Sequence, residues 1–598
     1  MCGIIGAVAE SAINPVLDGL ARLEYRGYDS SGVSILNNNI IETRKVKGKL
    51  NNLKQVLAEN PLDGKCAIGH TRWATHGKAT MNNAHPHQCG AVSVVHNGII
   101  ENYLKLKQQL LHWGHKFNSS TDSEVIPHLI NHYLSLNLSQ EEAITRAISQ
   151  LEGSYALGIL IHGDSNNLFA VKQDSPLVIS QGNSGVYMAS DAMALGPDGS
   201  KVYYPKDNEL MKLNSNEVKC CNDNIGSKVH FIKNLECNAK VTKGEHQSFM
   251  EKEIFEQVDL FKRFSLKRNI TEFDEVKFSK LNKVSIIACG TSYYAACIAK
   301  FWLEKHAKIS VEVDIASEYR YRSPIINDNE LAIFVSQSGE TADTLAALRY
   351  AQKHNSQTLA LVNVSSSTIA READYTFEIN AGPEIGVAST KAFTCQLAVF
   401  YKMCFEAAKQ KSTLANDKLE QLKQDFLQLP NLIEKLLSRS SNLQNFANKL
   451  SKYPNILFLG RGCLTPIAQE GALKLKEISY IHAEAYAAGE LKHGPIALLD
   501  EQMPVVVIAP KDSLTDKLLS NIQEVKARNA PLYVIGDSYI QQSINLPDDQ
   551  FFELPSMSES IQPILTVIPL QLLALFCATA LNKNVDQPRN LAKSVTVE

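Results

Sequence analysis

The chain has 598 residues, of which 44% are hydrophobic, and this length is too great for a single hydrophobic core. Its 60 Lys and Arg residues nearly balance its 63 Asp and Glu residues, which leaves a net charge of -3. This balance predicts neither the basic surface of a nucleic-acid-binding protein nor an acidic tail. Twelve cysteines stand at irregular spacings without paired metal-binding motifs. We therefore expect reduced thiols, no metal or cofactor, and a cytoplasmic location.

The start of the chain lacks the charged and apolar regions that make up a signal peptide. One later segment, Ile561 to Leu581, is apolar and long enough to span a bilayer. It contains two glutamines and two prolines, and no basic flank dominates it. We therefore predict a buried helix and no membrane contact.

Residues 2–220 mix short β-branched runs with helical patterns, which predicts an α+β domain built on antiparallel sheets. Residues 91–96 and 155–161 are predicted strands, and 15–23 and 123–134 are predicted helices. Thr121 and Glu124 have the spacing of a capping box, so we expect this run to open the second helix.

Residues 221–275 are polar and charged, which predicts a linker with a helix near 248–264. Strands and helices then alternate as in parallel α/β folds. Three strand-like runs recur after about 170 residues: 284–290 and 456–460, 331–335 and 504–508, and 359–363 and 532–536. This duplication predicts two doubly wound lobes, 276–430 and 431–585, with ligands at the carboxyl ends of the strands. Residues 586–598 remain as a tail.

Cys2 follows Met1 directly, so removal of the methionine would give Cys2 a free α-amino group. An α-amine has a pKa of about 8 and can act as the general base for the thiol of the same residue. A cysteine in this place would be unremarkable by itself. The runs that follow give it a context: LEYRGYDSSG at 23–32, HTRWATHG at 70–77 and HNG at 96–98.

These runs resemble the N-terminal-nucleophile (Ntn) glutaminase domain of class II amidotransferases. The resemblance implies that Cys2 is the nucleophile and that Asn97 and Gly98 form the oxyanion hole, where two preorganised donors stabilise the tetrahedral intermediate. It also implies that Arg72 clamps the α-carboxylate of glutamine and that Asp122 pairs with its ammonium group. The remaining implied glutamine-site residues are Arg26, which would support the nucleophile, and a covering loop of Trp73, Thr75, His76 and Gly77, with Trp73 as the gate for ammonia.

His85-Pro86-His87 could suggest a metal site. No carboxylate or cysteine pair accompanies it at ligand spacing, which favours a solvated loop. His70 is interpreted as a structural histidine.

The predicted strand ending at Val335 is followed by the run Ser336 to Thr341 and then by a helix. Hydroxyls and backbone N–H groups at a helix N-terminus can hold a phosphate without net charge, whereas an ordinary N-cap uses a single hydroxyl. A second loop of this kind, Cys289 to Ser292, follows another strand. No nucleotide P-loop motif is present. The pair of loops resembles sugar isomerase (SIS) domains, which implies a phosphosugar site made of Thr291, Ser292, Ser336, Gln337, Ser338 and Thr341.

Glu470, Lys474 and Glu477 fall on one face of a predicted helix. Alone, this pattern would suit a solvated ladder of ion pairs. The runs 384–391, 478–484, 488–495 and 586–598 extend the resemblance over essentially the whole chain. The full pattern resembles the isomerising amidotransferases, a family that joins the Ntn glutaminase to two SIS domains.

That resemblance implies glutamine and fructose 6-phosphate as substrates, glutamate and glucosamine 6-phosphate as products, and internal passage of ammonia. His493 would open the sugar ring, and Lys593 would form a Schiff base with the C2 carbonyl. Glu477 would move a proton from C1 to C2, with Glu470 and Lys474 setting its charge state. In the family His493 comes from the neighbouring subunit, which implies a homodimer.

Two other classes remain possible from the residues. Another class II amidotransferase would share the first domain, but it would need an acidic diphosphate-sugar loop or a Gly-rich ATP loop, and neither is visible. A regulator with SIS domains would lack Cys2 and carry a basic helix-turn-helix module.

Overall fold

The computed structural model describes residues 2–597 except 75, 164–166, 216, 223–228, 234–241, 267–272 and 274. Thr75 and the predicted removal of Met1 therefore lie outside the described residues. The chain divides into two compact units, Met1–Val241 with Ala592–Glu598, and Thr242–Leu591.

The first unit combines antiparallel strands with five helices among its described residues. The strands are β1 (Gly3–Ala9), β2 (Ser30–Asn37), β3 (Ile40–Lys47), β4 (Cys66–Arg72), β5 (His87–Cys89), β6 (Val92–Ile100), β7 (Gly153–Ile161), β8 (Leu168–Gln173), β9 (Val178–Gln181), β10 (Gly185–Ala189), β11 (Lys201–Tyr203), β12 (Met211–Leu213), β13 (Val218–Cys220) and β14 (Ile232–Lys233). The helices are α1 (Ile13–Leu23), α2 (Leu50–Glu59), α3 (Tyr103–His112), α4 (Val125–Ser135) and α5 (Gln140–Ile148).

These strands form two sheets, in the orders β14-β11-β9-β10-β1-β4-β2-β3 and β13-β12-β8-β7-β6-β5. The two sheets face each other across an apolar cluster that includes Ile4 and Val8 from β1 and Leu160 from β7. Ile5 and Ala7 alternate with these β1 residues and pack with α1 and α2 on the opposite face. The other sheet packs with α3, α4 and α5. The unit is thus layered helix–sheet–sheet–helix, and the predicted α+β class with antiparallel sheets is confirmed.

The predicted capping box at the start of α4 is wrong. The helix begins at Val125 with no side-chain hydrogen bond at its cap. The Glu124 carboxylate instead accepts hydrogen bonds from the backbone N–H groups of Asn118 and Ser119, at 2.8 and 2.7 Å. The preceding loop therefore competes successfully for the carboxylate that the capping box would need.

The second unit contains parallel strands and thirteen helices among its described residues. Its strands are β15 (Lys283–Ala288), β16 (Ser310–Ile315), β17 (Glu330–Ser336), β18 (Gln357–Val362), β19 (Tyr375–Glu378), β20 (Asn455–Gly460), β21 (His482–Ala487), β22 (Val505–Ala509), β23 (Leu532–Gly536) and β24 (Phe551–Glu553). Its helices are α6 (Phe249–Phe255), α7 (Gln257–Leu266), α8 (Gly290–Trp302), α9 (Ala316–Tyr319), α10 (Ala342–Lys353), α11 (Thr368–Glu372), α12 (Lys391–Gln410), α13 (Asn416–Leu437), α14 (Ser441–Leu450), α15 (Thr465–Ser479), α16 (Thr515–Lys526), α17 (Ser538–Ile544) and α18 (Gln562–Ala580).

The internal repeat appears as two parallel five-stranded sheets with the same connectivity, β16-β15-β17-β18-β19 and β21-β20-β22-β23-β24. Each is the doubly wound order in which the second strand lies outside the first. One apolar core contains residues from both sheets together with α8, α12, α15 and α18. The outer faces are covered by α10 and α11 in the first lobe and by α16 and α17 in the second. The predicted pair of doubly wound lobes is confirmed.

The helix predicted near 248–264 is present as α6 and α7, which pack in the core of the second unit through Met250, Ile254 and Phe261. Ser248 caps α6 by accepting a hydrogen bond from the Glu251 backbone N–H at 3.1 Å. The helix α13 runs continuously across residues 430 and 431, where the sequence divides the two lobes.

The apolar helix near the end of the chain is buried, as predicted. Among the described residues, Glu559–Ala580 is the one segment long and apolar enough to cross a membrane, and 83% of its most apolar window is buried. Its two glutamine side chains find partners in the core: Gln562 donates to the Lys511 carbonyl at 2.7 Å, and Gln571 donates to the Thr390 carbonyl at 3.1 Å. These bonds are those of a core helix in the second unit.

Candidate active sites

Cys2 lies directly before β1, beside the end of β4. The strands pair with Gly3 opposite Thr71, which brings the residue after β4 to the thiol. The Trp73 backbone N–H donates a hydrogen bond to Cys2 Sγ at 3.3 Å. Burial raises the pKa of the Cys2 thiol, while the Trp73 N–H and the Arg72 guanidinium act in the opposite direction. Both of these favour the thiolate.

Asn97 and Gly98 lie on β6, and Asn97 reaches the backbone of the predicted nucleophile. The Asn97 Nδ2 donates to the Cys2 carbonyl oxygen at 2.8 Å. Gly98 has a φ of 132°, and a Cβ there would lie 2.0 Å from the Ser154 carbonyl oxygen. Glycine is therefore required at this position, because other residues meet both backbone strain and a collision.

Arg72 fixes the loop that follows β4. Its buried guanidinium donates to the carbonyl oxygens of His76, of Gly77 at 3.1 Å and of Lys78 at 3.4 Å. His76 is half-buried and packs edge-on against Tyr103, with ring centroids 5.8 Å apart. The structure thus joins Arg72, Trp73, His76 and Gly77, four of the predicted glutamine-site residues, in one locally bonded segment.

Two aspartates lie close enough to Arg72 to act on its charge. Burial lowers the pKa of Arg72, whereas Cys2, Asp29 and Asp122 act in the opposite direction. Asp122 is buried, and its Oδ2 accepts from the Ile100 N–H at 2.8 Å. Asp29 Oδ2 accepts from the Ala74 N–H at 2.9 Å. Sequence reasoning did not select Asp29, although it lies in the run 23–32 that carries the resemblance.

Arg26 is buried away from solvent and forms an ion pair with Asp191. Its Nε donates to the Tyr25 hydroxyl at 3.0 Å, and that hydroxyl lies 3.3 Å from Asp191 Oδ2. The neighbouring Ser190 accepts from the Ile4 N–H on β1 at 3.2 Å. Arg26 thus pairs with Asp191, which no sequence motif indicated and which follows the serine bonded to β1.

The prediction of a solvated loop at His85 to His87 is wrong. Both histidines are 3% exposed, and the His85 ring stacks on His70 at 4.1 Å between centroids. His85 Nδ1 accepts from the His96 N–H at 3.3 Å, directly before Asn97. Burial holds the pKa of His85 well below its usual value and lowers that of His87 to about 3. These neutral rings form a packed support behind β6.

In the second unit, the two predicted phosphate loops lie at the switch point of the first lobe. Strands β15 and β17 are neighbours with Ala288 opposite Val335, so their carboxyl ends coincide. The loops after them lead into α8 and α10 respectively. The crevice between such strands is where doubly wound folds bind ligands.

The loop after β17 is held by its own hydroxyl groups. Ser336 Oγ accepts from the Gly339 N–H at 3.0 Å and lies 2.8 Å from Thr341 Oγ1, while Ser338 Oγ accepts from the Glu340 N–H at 3.2 Å. Thr341 is the N-cap residue of α10 but makes no side-chain cap bond. The hydroxyls thus shape the loop rather than cap the helix. Gln337 contributes its carbonyl, which accepts from the Asn363 N–H at 3.1 Å.

Glu470, Lys474 and Glu477 on α15 form a buried charge cluster and not a solvated ladder. The side chains of Glu470 and Lys474 are 0% and 1% exposed. Lys474 Nζ lies 3.5 Å from Glu470 and 2.6 Å from Glu477. Burial raises the pKa of Glu470 to about 8. The nearby Lys474 cation acts to lower this pKa, and the Glu477 carboxylate acts to raise it. Burial also acts to lower the pKa of Lys474, but the two carboxylates raise it above its usual value.

Thr291 connects this cluster to the first phosphate loop. Its Oγ1 donates to Glu470 at 3.3 Å and accepts from Lys474 Nζ at 3.1 Å. The next residue, Ser292, accepts from Gln396 Nε2 on α12 at 2.9 Å. Two predicted groups, the phosphosugar residues and the acid–base residues, are therefore brought together in the second unit.

His493 and Lys593 are not joined to that cluster by the contacts of the second unit. His493 is exposed at the end of a short 3₁₀ turn, Ala488–His493. Within the described part of this unit, no hydrogen bond or ion pair connects it to Glu477. Lys593 belongs to the segment 592–598, which groups with the first unit.

Sequence reasoning missed the carboxylates that hold the segment before α12. Glu384 is buried, and its Oε1 accepts from the N–H groups of Thr390 and Ala392 at 2.9 and 3.0 Å. Lys391 is also buried and donates a hydrogen bond at 2.7 Å to Glu256, which lies between α6 and α7. The run 384–391 carries part of the resemblance, so the sequence did mark this segment. Its partner Glu256 lies in the predicted linker 221–275, and no sequence pattern connects the two.

Known protein families match both units. A glutamine amidotransferase domain model matches residues 70–197, and a SIS domain model matches 277–404 and 449–580. The chain is 45% identical over 607 residues to the glutamine–fructose-6-phosphate aminotransferase [isomerizing] of Brucella abortus biovar 1 (strain 9-941), with 100% of both chains covered. It is also 45% identical over 609 residues to the enzyme of the same name from Rhizobium meliloti (strain 1021), again with 100% of both covered.

A solved structure supports the same assignment for the second unit. The C-terminal domain of glucosamine-fructose-6-phosphate aminotransferase from Francisella tularensis is 42% identical, with a TM-score of 0.56. The match covers 58% of this chain and 100% of that one. With full-length relatives, an amidotransferase domain and two SIS domains, the chain belongs to the family of isomerising glutamine–fructose-6-phosphate aminotransferases.

Proposed function

We propose that the chain converts glutamine and fructose 6-phosphate to glutamate and glucosamine 6-phosphate, the first step of hexosamine synthesis. The observation that supports this most strongly is the position of Cys2, whose thiol accepts the Trp73 N–H at 3.3 Å beside the buried Arg72. An N-terminal thiol in that setting suits amide cleavage. The full-length relatives at 45% identity carry this activity in their name.

In the glutaminase half, the Cys2 thiolate attacks the amide carbon of glutamine, and its own α-amine takes the thiol proton and passes it to the leaving ammonia. Water then cleaves the thioester to release glutamate. Asn97 Nδ2 and the Gly98 N–H stabilise the oxyanion of both tetrahedral intermediates. Arg72 and Asp122 bind the α-carboxylate and the ammonium group, and the loop of Trp73, His76 and Gly77 covers the substrate.

In the isomerase half, the phosphate of fructose 6-phosphate binds the loops at the switch point of the first lobe. Lys593 condenses with the C2 carbonyl to form a Schiff base, and this step releases water. Ammonia then attacks C2 and releases the Lys593 amine, which leaves an imine at C2. Glu477 then moves the proton from C1 to C2, which turns the ketose imine into the amino-aldose. Lys474 Nζ lies 2.6 Å from Glu477 and places a buried cation beside this base. His493 opens the sugar ring.

The proposal includes a cytoplasmic homodimer without a cofactor, membrane or nucleic-acid partner. The exposure of His493 on its 3₁₀ turn suits a residue that acts in the neighbouring subunit of a homodimer. The 60 basic and 63 acidic residues give a net charge of -3, which does not attract a polyanion.

The test is a product assay with glutamine, fructose 6-phosphate and single variants. We expect Cys2→Ala to abolish glutamate formation but to keep isomerisation of the phosphosugar. We expect Lys593→Ala to stop amino-sugar formation and to spare glutamine hydrolysis. Lys435→Ala, at an exposed lysine of α13, is the matched control and should leave both activities unchanged. Glutamine-dependent synthesis by Cys2→Ala, or normal product yield with Lys593→Ala, would contradict the assigned roles.

A further inference from the structure

Three side chains outside the glutaminase site converge on the surface of the first unit. They are Cys89 at the end of β5, His115 in the segment after α3, and His128 on α4. Their ligand atoms, one from each residue, all lie within 4.8 Å of one another. Cys89 Sγ is 3.2 Å and His115 Nδ1 is 3.0 Å from His128 Nδ1.

One thiol and two imidazoles form a donor set that suits a borderline-soft divalent ion such as Zn²⁺. With Zn–S near 2.3 Å and Zn–N near 2.0 Å, tetrahedral coordination separates its donors by about 3.3–3.6 Å. Two of the three separations are already close to this range, and the third is within 4.8 Å. Both of these side chains are half-buried, so an ion has access from solvent.

The contacts of His128 orient it as metal-bound histidines are oriented. Its Nε2 lies 3.7 Å from Glu124 Oε1, on the side of the ring away from the cluster. A carboxylate near Nε2 favours the tautomer with its proton there, which leaves the Nδ1 lone pair facing Cys89 and His115. The Phe117 ring stacks on His128 at 4.3 Å between centroids and shields one face of the site.

The backbone holds Glu124 for this task. Its two carboxylate oxygens accept the N–H groups of Asn118 and Ser119, and α4 begins at the next residue. His128 therefore has a fixed carboxylate behind it, as is common for histidine ligands. Without an ion, the single Nδ1 lone pair of His128 can accept from only one of its two neighbours, whereas an ion would engage all three donors at once.

We propose that Cys89, His115 and His128 form a binding site for one divalent transition-metal ion of the Zn²⁺ class, with the fourth position open to water. The ion would join three parts of the chain, namely β5, the segment after α3, and α4. Cys89 and His128 are 39 residues apart in sequence, and His115 and His128 are 13 residues apart. The site is independent of the proposed glutamine and phosphosugar chemistry.

The test uses the full chain, freed of any histidine tag, stripped with a chelator and kept reduced with a phosphine. Co²⁺ is titrated as the spectroscopic probe, and Zn²⁺ is then added as a competitor. We expect a thiolate-to-cobalt charge-transfer band that saturates at a single ion per chain and disappears when Zn²⁺ displaces Co²⁺. We expect Cys89→Ser to abolish the band.

Variants of the other groups separate this site from its rivals. Glu124→Gln should weaken Co²⁺ binding by about 10- to 100-fold, as loss of a partner behind a ligand does. His115→Gln, at a half-buried loop position that should not disturb folding, removes a ligand and should weaken binding further. Cys221→Ser and His112→Gln are the matched controls in the same unit and should bind Co²⁺ as the unmodified chain does. A thiolate band that is absent from the unmodified chain, survives in Cys89→Ser, or is lost in Cys2→Ala instead would overturn the proposal.

Discussion

Removal of the buried cation on α15 should destabilise the second unit far more than removal of a surface cation does. Lys474 is 1% exposed and lies between Glu470, which is 0% exposed, and Glu477. The variant Lys474→Met keeps the volume of the side chain and removes its charge. It leaves two carboxylates without their cation and Thr291 without its lysine donor.

The loss follows from the burial of the cluster. Removing one partner of a buried ion pair costs about 3–5 kcal/mol, because the remaining charge stays desolvated. The matched control is Arg439→Met, since Arg439 and Glu553 form a pair at 3.2 Å with side chains 50% and 49% exposed. An exposed pair of this kind contributes about 0–1 kcal/mol.

The assay should report on this part of the chain alone, because two units need not unfold together. Hydrogen exchange followed by mass spectrometry at increasing urea gives the free energy of opening for peptides that cover Thr465–Ser479. The reasoning would be refuted if Lys474→Met and Arg439→Met lowered this free energy equally.

Three further outcomes are expected. Asn97→Ala should lower kcat for glutamine hydrolysis by about 10²–10³-fold with a smaller change in KM, as loss of an oxyanion donor does; an unchanged kcat would remove Asn97 from that role. Ser336→Ala should raise the KM for fructose 6-phosphate by about fivefold, through the loss of roughly 1 kcal/mol of hydrogen bonding, and leave glutaminase activity unchanged; an equal effect on glutamine kinetics would point to general damage. The folded pKa of Glu470, about 8, lies above its unfolded value, so its contribution to stability is fully present below that value and is lost as pH rises towards 8. Glu470→Gln should therefore flatten the decline in the free energy of unfolding between about pH 5 and pH 8, and an unaltered slope in urea titrations would contradict the raised pKa.

The fold could be predicted where periodicity and duplication are strong. In β1, Ile4 and Val8 face one apolar cluster while Ile5 and Ala7 face another, which is the alternation that a strand between two layers requires. The three repeated runs became the first, third and fourth strands of two sheets with identical order. Both results depend on local pattern, which a sequence displays directly.

The errors arose where contacts outside the motif decide the position of a side chain. Glu124 has the correct spacing for a capping box, but the N–H groups of Asn118 and Ser119 take its carboxylate. His85 and His87 were expected in a solvated loop because no carboxylate or cysteine pair accompanies them at ligand spacing. The tertiary fold instead buries both, with His85 stacked on His70 and His87 packed against His85.

The sequence predicted which residues form the candidate sites, but it did not predict how deeply those residues are buried. The spacing of Glu470, Lys474 and Glu477 places them on one helix face but does not say which side that face meets. The packing of α15 against α18 and α8 decides that it is the interior. The Cys89, His115 and His128 cluster has no sequence signature, because its ligands come from three segments.

The coupling of glutamine cleavage to amino-sugar formation is tested most directly by following the amide nitrogen. The protein is incubated with amide-¹⁵N glutamine and fructose 6-phosphate in a buffer containing unlabelled ammonium. Mass spectrometry then measures the label in glucosamine 6-phosphate together with the amount of glutamate. We expect labelled amino sugar in equal amount to glutamate, and neither product from Cys2→Ala. Glutamate formed without amino sugar, or amino sugar carrying the unlabelled nitrogen, would contradict the proposed reaction.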